Sequence, residues 1–171
     1  MTTPAWSRVE LLAGRHNVST FTTGLLSVDK WFGANALDEQ NAGRVRTHLC
    51  VSDNGDIVAF FALKHIIVSL EGTSSRLRQS GDANGQATGL LLAQMGVRSN
   101  LQGNGVGKQV VQQVFDVAAT VHAQASFQLL VVDAESERLV PYYEQFGFRR
   151  LPNDRRLVMK MSAVHKLVST C

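Results

Sequence analysis

The stretch that most constrains the fold is residues 90–117, where an apolar segment, a glycine-rich turn and an amphipathic segment follow one another. Residues 90–97 have the length and apolar character of a buried strand. Three glycines then stand at alternate positions, 103, 105 and 107. After them, apolar residues recur at helical spacing, namely Val106, Val110, Val111, Val114, Phe115 and Val117. The stretch therefore predicts a strand, a tight turn and a helix.

A glycine turn at the start of a helix can bind an anion, because the first N–H groups of a helix lack partners there. Glycines let a phosphate approach the backbone closely, and Lys108 adds a charge. The Walker A pattern fails because Gln102 and Gln109 replace its first glycine and its Ser or Thr. The dinucleotide pattern fails because its third glycine comes one residue early. Two interpretations of residues 102–108 stay open: a phosphate-binding loop with another pattern, and a glycine-rich helix start that binds no ligand.

Length and composition fit one soluble globular domain. The chain has 171 residues, of which 44% are hydrophobic and 18% charged. A net charge of +3 permits an anionic partner without requiring one. We expect no membrane contact and a cytoplasmic location, since the sequence has neither a membrane-length apolar run nor a signal pattern. Cys50 and Cys171 lack metal-ligand spacing, so no metal site is expected. Because they are far apart in the sequence and Cys171 is its last residue, we expect no disulfide between them.

The remaining chain predicts further strands and helices. Asn54-Gly55 between two apolar runs predicts a hairpin. Residues 127–132 predict a strand parallel to residues 90–97, because a helix connects the two. The other expected elements are a strand over residues 7–13, a helix capped by Ser27, a hairpin of residues 47–52 and 57–68, a mobile loop over residues 71–88, a helix over residues 135–146, and strands over residues 148–151 and 156–164.

Two motifs resemble those of the GNAT N-acetyltransferases. Gln102, Gly105 and Gly107 fit the family's pyrophosphate pattern Q/R-x-x-G-x-G/A. Further along, Tyr142 and Tyr143 begin the segment Tyr-Tyr-Glu-Gln-Phe-Gly-Phe, which is similar to the family's F-Y-E-x-x-G-F. The resemblance implies the α/β (α+β) GNAT fold as a single domain over residues 1–171. In this fold a mixed, mostly antiparallel sheet of about six to seven strands is splayed at its central strands and flanked by helices.

The resemblance also implies acetyl-CoA as the donor and gives roles to particular residues. Tyr143 is the implied general acid for the leaving thiolate, and the Val97 N–H would polarise the thioester carbonyl. That Tyr142 and Tyr143 are both core aromatics stays open. The implied coenzyme-binding residues are Met95, Val97, Gln102, Gly103, Asn104, Gly105, Val106, Gly107 and Lys108.

The region before the first hairpin resembles the GNAT toxins of bacterial toxin–antitoxin modules. The resemblance lies in Phe21, Gly24, Asp29, Trp31 and Phe32, in the strand Val-Ala-Phe-Phe-Ala-Leu, and in Leu-Leu-Ala-Gln-Met-Gly-Val of the central stretch. It implies acetylation of the α-amino group of aminoacyl-tRNA, which blocks translation, and a ribbon-helix-helix antitoxin as partner. It is also compatible with a homodimer. Val28 and Gln94 depart from the usual Leu and Arg.

A tRNA substrate requires cationic surface, because phosphate contacts supply most of the affinity. The candidates are Arg76, Arg78, Arg98, Arg149, Arg150, Arg155 and Arg156. The alternative is that these arginines are ordinary solvated charges. Two other functions also stay open: acetylation of a small amine, peptide or protein N-terminus, and a non-catalytic module that binds acetyl-CoA or a partner.

Overall fold

A computed structural model describes residues 3–152 and 154–169 of the chain. Within these residues, seven strands form one sheet in the spatial order β1-β2-β3-β4-β5-β7-β6. The strands are β1 Arg8–Leu11, β2 Arg46–Val51, β3 Ile57–Ser69, β4 Gln86–Val97, β5 Leu129–Asp133, β6 Arg149–Arg150 and β7 Arg156–Lys160. β4 and β5 pair in parallel, whereas β1 with β2, β2 with β3, β5 with β7 and β6 with β7 pair antiparallel. The predicted mixed, mostly antiparallel sheet is confirmed.

Helices occupy most of the connections between strands. They are α1 Leu26–Ala34, α2 Ala36–Asn41, α3 Ser75–Arg78, α4 Val106–Gln124, α5 Val140–Glu144 and α6 Met161–Ser169. α4 is the helix predicted after the glycine turn, and Val110, Val111 and Val114 of its apolar stripe are buried. No helix in the described ranges is long and apolar enough to cross a membrane.

The chain divides into two compact units. The first comprises residues 1–64 and 93–113, and the second comprises residues 65–92 and 114–171. That all 171 residues form a single domain stays a prediction.

Aromatic side chains form the interior of the first unit. Phe32 of α1 stacks on Phe60 of β3 with ring centroids 4.2 Å apart. Phe21 meets both rings edge-on, at 5.1 and 5.7 Å. Such pairs contribute about 0.5–1.5 kcal/mol each beyond the burial of their area. They fix α1, and the segment that leads into it, against β3.

The interior of the second unit is built on β5 and β7. Leu129, Leu130 and Leu157 are fully buried in these two paired strands. Phe115 of α4 contacts Phe148, with ring centroids 6.2 Å apart. The Phe115–Phe148 contact fixes the end of the second sequence motif, residues 142–148, which begins in α5.

Some predicted boundaries are wrong, each for a physical reason. Ser27 does not cap α1, because the helix begins at Leu26 and its capping position, Leu25, makes no side-chain cap hydrogen bond. Residues 71–88 are not a loop throughout: they contain α3, whose first turn is capped by Ser74, and the start of β4.

The end of the chain also differs from the prediction. Residues 161–164 are helical, because Met161 and Val164 are buried at the i, i+3 spacing of a helix. The predicted helix over residues 135–146 is mainly α5, preceded by a 3₁₀ turn over Glu137–Leu139. The prediction for Cys171 lies outside the described residues.

Candidate active site

A glycine-rich turn leads into α4. Gly103 and Gly105 have φ angles of +83° and +78°, in the left-handed region that favours glycine. A Cβ atom at either position would meet no atom within 4 Å, so the turn borders open space. α4 begins at Val106, where helix N–H groups lack intrahelical partners. With the exposed Lys108 nearby, these N–H groups fit the oxygens of a pyrophosphate.

The other residues of the turn differ in what they can offer a ligand. Asn104 is exposed and Gly107 is half-buried in the first turn of α4. The Val106 side chain is buried as the first member of the apolar stripe of α4, so only its backbone is available.

The last residues of β4 extend past its pairing with β5. The registered pairs end at Leu92 with Val132, whereas β4 continues to Val97. Met95 is half-buried and Val97 is buried. Beyond β4, the Arg98 N–H donates to the Val58 carbonyl of β3 at 2.9 Å. Residues 93–97 therefore carry no registered partner in β5 within the described chain.

The Gln102 side chain makes hydrogen bonds inside the protein. Its Nε2 donates to the Thr23 carbonyl at 2.7 Å and to the Val97 carbonyl at 2.9 Å. A side-chain amide has two N–H donors, so both are engaged. In this arrangement the Gln102 side chain has no donor left for a phosphate oxygen.

Residues 20–25, hereafter the strap, lead into α1 and lie against the end of β4. At Gly96, a Cβ atom would stand 2.6 Å from Thr23 Cγ2, so only glycine allows this approach. The Ser99 N–H donates to the Thr22 carbonyl at 2.8 Å. Arg98 donates from Nη1 to the Thr20 carbonyl at 3.2 Å. These contacts join residues that lie far apart in the sequence, so no sequence motif indicates them.

Asp29 fixes the strap from within α1. Its carboxylate accepts from the Thr22 and Thr23 hydroxyls, each at 2.7 Å, and from the Thr23 N–H at 2.8 Å. Burial acts to raise the pKa of Asp29, but these hydrogen bonds together lower it below its usual 3.8. Two adjacent threonines shortly before a helical aspartate are a local signal that could have indicated this arrangement.

Tyr143 lies in α5 of the second unit. Its half-buried ring meets Phe148 edge-on, with centroids 6.1 Å apart, and Tyr142 at 5.3 Å. Burial first, then the neighbouring Tyr142 and Glu135, raise the pKa of Tyr143 to about 12. The hydroxyl is therefore protonated at neutral pH and can donate a proton or a hydrogen bond.

Two of the candidate arginines form ion pairs within the second unit. Arg150 binds the Glu137 carboxylate with two nitrogens, at 2.8 and 2.6 Å. Arg156 binds Asp133 in the same forked way, at 2.7 and 2.9 Å. These pairs neutralise much of the charge that the arginines would offer a phosphate.

Three more candidate arginines donate to main-chain carbonyls. Arg98, in the first unit, donates from Nε to the Ile57 carbonyl at 2.8 Å, and its guanidinium lies 5.4 Å from the centroid of the Phe21 ring. In the second unit, Arg155 and Arg78 each use one guanidinium nitrogen on a carbonyl. The other two candidates, Arg76 and Arg149, are exposed.

The sequence profile of the acetyltransferase (GNAT) family matches residues 16–148, and the chain belongs to this family. It is therefore an acetyltransferase, of a family that typically uses acetyl-CoA as donor. The fold and the enzyme class inferred from the two motifs are confirmed.

Its relatives include bacterial toxins. The probable toxin TacT of Sinorhizobium fredii is 20% identical over an alignment of 163 positions that covers 90% of each chain. AtaT complexed with acetyl-methionyl-tRNAfMet has a TM-score of 0.83 at 15% identity, over 94% of this chain and 98% of that one. AtaTR bound with acetyl-CoA has a TM-score of 0.80 at 16% identity, over 94% and 96%. At these identities the solved structures establish the fold.

Proposed function

We propose that this acetyltransferase transfers the acetyl group of acetyl-CoA to the α-amino group of aminoacyl-tRNA and acts as the toxin of a toxin–antitoxin module. The observation that carries the proposal is the fold shared over 94% of the chain with AtaT, whose solved complex contains an acetylated aminoacyl-tRNA. The toxin-like segment of residues 21–32, which contains most of the strap and of α1, supports it.

Backbone groups of the first unit would hold the donor. The N–H groups at the start of α4 and the charge of Lys108 fit its pyrophosphate. The free edge of residues 93–97, which includes Met95, fits an extended pantetheine arm that adds to β4 like a strand. The Val97 N–H would polarise the acetyl carbonyl.

Acetyl-CoA supplies an activated thioester, and the protein has to position the acceptor and assist proton transfer. The acceptor amine forms the new C–N bond as the C–S bond breaks, and the bonding electrons pass to sulfur. Tyr143 donates the proton that this sulfur needs, and a water takes the proton released by the amine. Most of the rate enhancement would come from positioning, since the mechanism has no covalent enzyme intermediate.

The acceptor would bind partly through its phosphates. Arg76 and Arg149 are the candidates best placed for this role, because the other exposed candidates, Arg78, Arg150 and Arg155, already donate to carbonyl or carboxylate oxygens. The forked ion pairs of Arg150 and Arg156 give those residues a structural role first. Phosphate contacts of this kind position a nucleic acid without reading its sequence.

A small antitoxin would be the protein partner. The support is that this chain is similar, with a TM-score of 0.78, to an AtaT mutant whose solved structure is a complex with the C-terminus of the antitoxin AtaR. We infer that a ribbon-helix-helix protein encoded beside this chain binds it. Growth arrest on expression that is relieved by the neighbouring gene would support this, and arrest that persists would contradict it.

The decisive experiment is incubation with radiolabelled acetyl-CoA and charged tRNA. We expect label to appear on aminoacyl-tRNA, and to be absent from uncharged tRNA and from the reaction of Tyr143→Phe. Label transferred instead to free amines or peptides would favour a different acceptor. Acetyl-CoA binding without transfer to any acceptor would favour a binding module.

A further inference from the structure

Gln102 belongs to two parts of the first unit at once. By sequence it is the first residue of the coenzyme motif, and it lies in the exposed turn before α4. By its contacts it holds the strap, because its amide donates to the Thr23 carbonyl at 2.7 Å. Its second N–H donates to the Val97 carbonyl, the last of β4. One neutral side chain therefore joins the turn, the end of β4 and the strap.

The strap has firm anchors on its other sides. Asp29 accepts three hydrogen bonds from Thr22 and Thr23, and Ser99 donates to Thr22. These anchors belong to α1 and to the 3₁₀ turn after β4, not to the glycine-rich turn. Among the hydrogen bonds of the described residues, the one from the Gln102 amide to the Thr23 carbonyl links the strap to the turn itself.

The position of the strap matters for the reaction. Thr23 packs on Gly96. Gly96 lies between Met95, which belongs to the edge proposed for the pantetheine arm, and Val97, whose N–H would polarise the acetyl carbonyl. The strap ends in Leu25, which is 56% exposed, and α1 opens with Leu26, which is 82% exposed. An acceptor that approaches the end of β4 on this side meets the strap.

We propose that Gln102 is a positioning residue that couples coenzyme binding in the glycine-rich turn to the order of the strap. Binding of a pyrophosphate to backbone N–H groups fixes the turn, and the Gln102 amide transmits that constraint to Thr23. The coenzyme thereby prepares the surface that the acceptor meets. Coupling between two sites is reciprocal, so an ordered strap also favours coenzyme binding.

The variant Gln102→Met tests this role, because methionine keeps the length of the side chain and removes both N–H donors. Gln40→Met is a matched control from the same unit. Gln40 also joins two main-chain groups, since its Nε2 donates to the Leu12 carbonyl and its Oε1 accepts from the Thr47 N–H. Both variants lose a pair of amide hydrogen bonds, but only Gln102 touches the strap.

Hydrogen–deuterium exchange of a peptide that covers the strap is the readout. We expect acetyl-CoA to slow exchange of the strap about fivefold or more in the wild type and in Gln40→Met, but not in Gln102→Met. Gln102→Arg, which retains side-chain donors, should restore part of the effect. The acetyl-CoA dissociation constant of Gln102→Met, measured by calorimetry, should rise only by about the factor that couples coenzyme binding to strap order in the wild type.

Three results would overturn the proposal. The first is a wild-type strap that acetyl-CoA does not protect. The second is protection that Gln102→Met retains or that Gln40→Met loses equally. The third is coenzyme binding weakened a hundredfold or more with strap exchange unchanged, which would make the Gln102 side chain a coenzyme ligand.

Kinetics extend the test to the acceptor, and this step rests on the proposed function. At saturating acetyl-CoA, Gln102→Met should raise the KM for charged tRNA, whereas Gln40→Met should leave it unchanged. The exchange measurement needs no acceptor. If charged tRNA is not a substrate, exchange still decides the role of Gln102, so the two failures are distinguishable.

Discussion

Thr23 donates both its backbone N–H and its hydroxyl to one carboxylate oxygen of Asp29, at 2.8 and 2.7 Å. The other carboxylate oxygen accepts from the Thr22 hydroxyl. An acidic residue in the first turn of a helix usually interacts with the helix dipole. Here it also orders the preceding segment, so that Thr23 reaches both Gly96 and the Gln102 amide.

We expect Asp29→Asn to lower the free energy of unfolding by about 1–3 kcal/mol, because hydrogen bonds to a charged group are lost. Urea denaturation measures this. Asp38→Asn, which changes an exposed acid in the first turn of α2, is the control and should cost less.

The wild type should also lose the Asp29 contribution in acid. The pKa of Asp29 is lowered in the folded state, so its stabilisation is present above the unfolded pKa of about 3.9. It disappears as the pH falls through the folded value. A wild type and an Asp29→Asn variant that lose equal stability below pH 4 would contradict this account.

Gly96→Ala should destabilise the protein by about 1–3 kcal/mol, because the new methyl group would lie 2.6 Å from Thr23 Cγ2 and 2.7 Å from Phe60 Cε1. Gly33→Ala is the matched control. A Cβ at Gly33, inside α1, would meet no atom within 4 Å, so this change should stabilise by about 0.5–1 kcal/mol. Equal thermal shifts for the two variants would refute the close approach of the strap to β4.

Tyr143→Phe should lower kcat by a factor of about 10²–10⁴ and leave the acetyl-CoA dissociation constant unchanged, because it removes only a proton donor. Tyr142→Phe serves as the control, since it removes a hydroxyl from the neighbouring ring, and should retain most activity. Because the pKa of Tyr143 is about 12, deprotonation of Tyr143 should cause no loss of wild-type activity up to about pH 10. If Tyr143→Phe keeps full activity, Tyr143 is not the general acid.

Arg149→Glu should weaken binding of tRNA and leave that of acetyl-CoA unchanged. If Arg149 contacts one phosphate, the salt dependence should flatten, with the slope of log K against log salt changing by roughly 0.7–0.9. Filter binding at several salt concentrations measures this. Arg150→Glu is the informative comparison, because loss of its ion pair with Glu137 acts on folding as well. An unchanged slope for Arg149→Glu would remove this residue from the tRNA surface.

The sequence predicts the strand, turn and helix of the central stretch because their signals are local. Periodic apolar residues mark α4, and glycines mark a turn that needs positive φ. The parallel pairing of β4 with β5 follows from the connecting helix. The tyrosine motif can likewise be recognised from the sequence. The protonation state of Tyr143, however, depends on the burial of its side chain, which only the structure shows.

Other features depend on contacts between residues distant in sequence. The role of the Gln102 side chain is set by Thr23, which is 79 residues away. The neutralised charges of Arg150 and Arg156 depend on acids on other elements of the second unit. Helix α6 was missed because the apolar residues that follow β7 fit a continued strand until their burial pattern is known.

His48 provides a pH-dependent test of the sheet. It lies on β2 with its ring stacked on Phe61, the centroids 4.8 Å apart, and burial lowers the pKa of His48 to about 4. The unfolded chain binds a proton near pH 6.5 and the folded chain does not, so stability falls as the pH drops from about 6.5 towards 4. By pH 5 the loss should be about 2 kcal/mol relative to pH 7.5. Urea denaturation of His48→Phe, which keeps an aromatic ring and cannot titrate, should show a pH dependence smaller by that amount. Parallel stability curves for the two proteins would mean that His48 is already protonated when folded or is exposed to water.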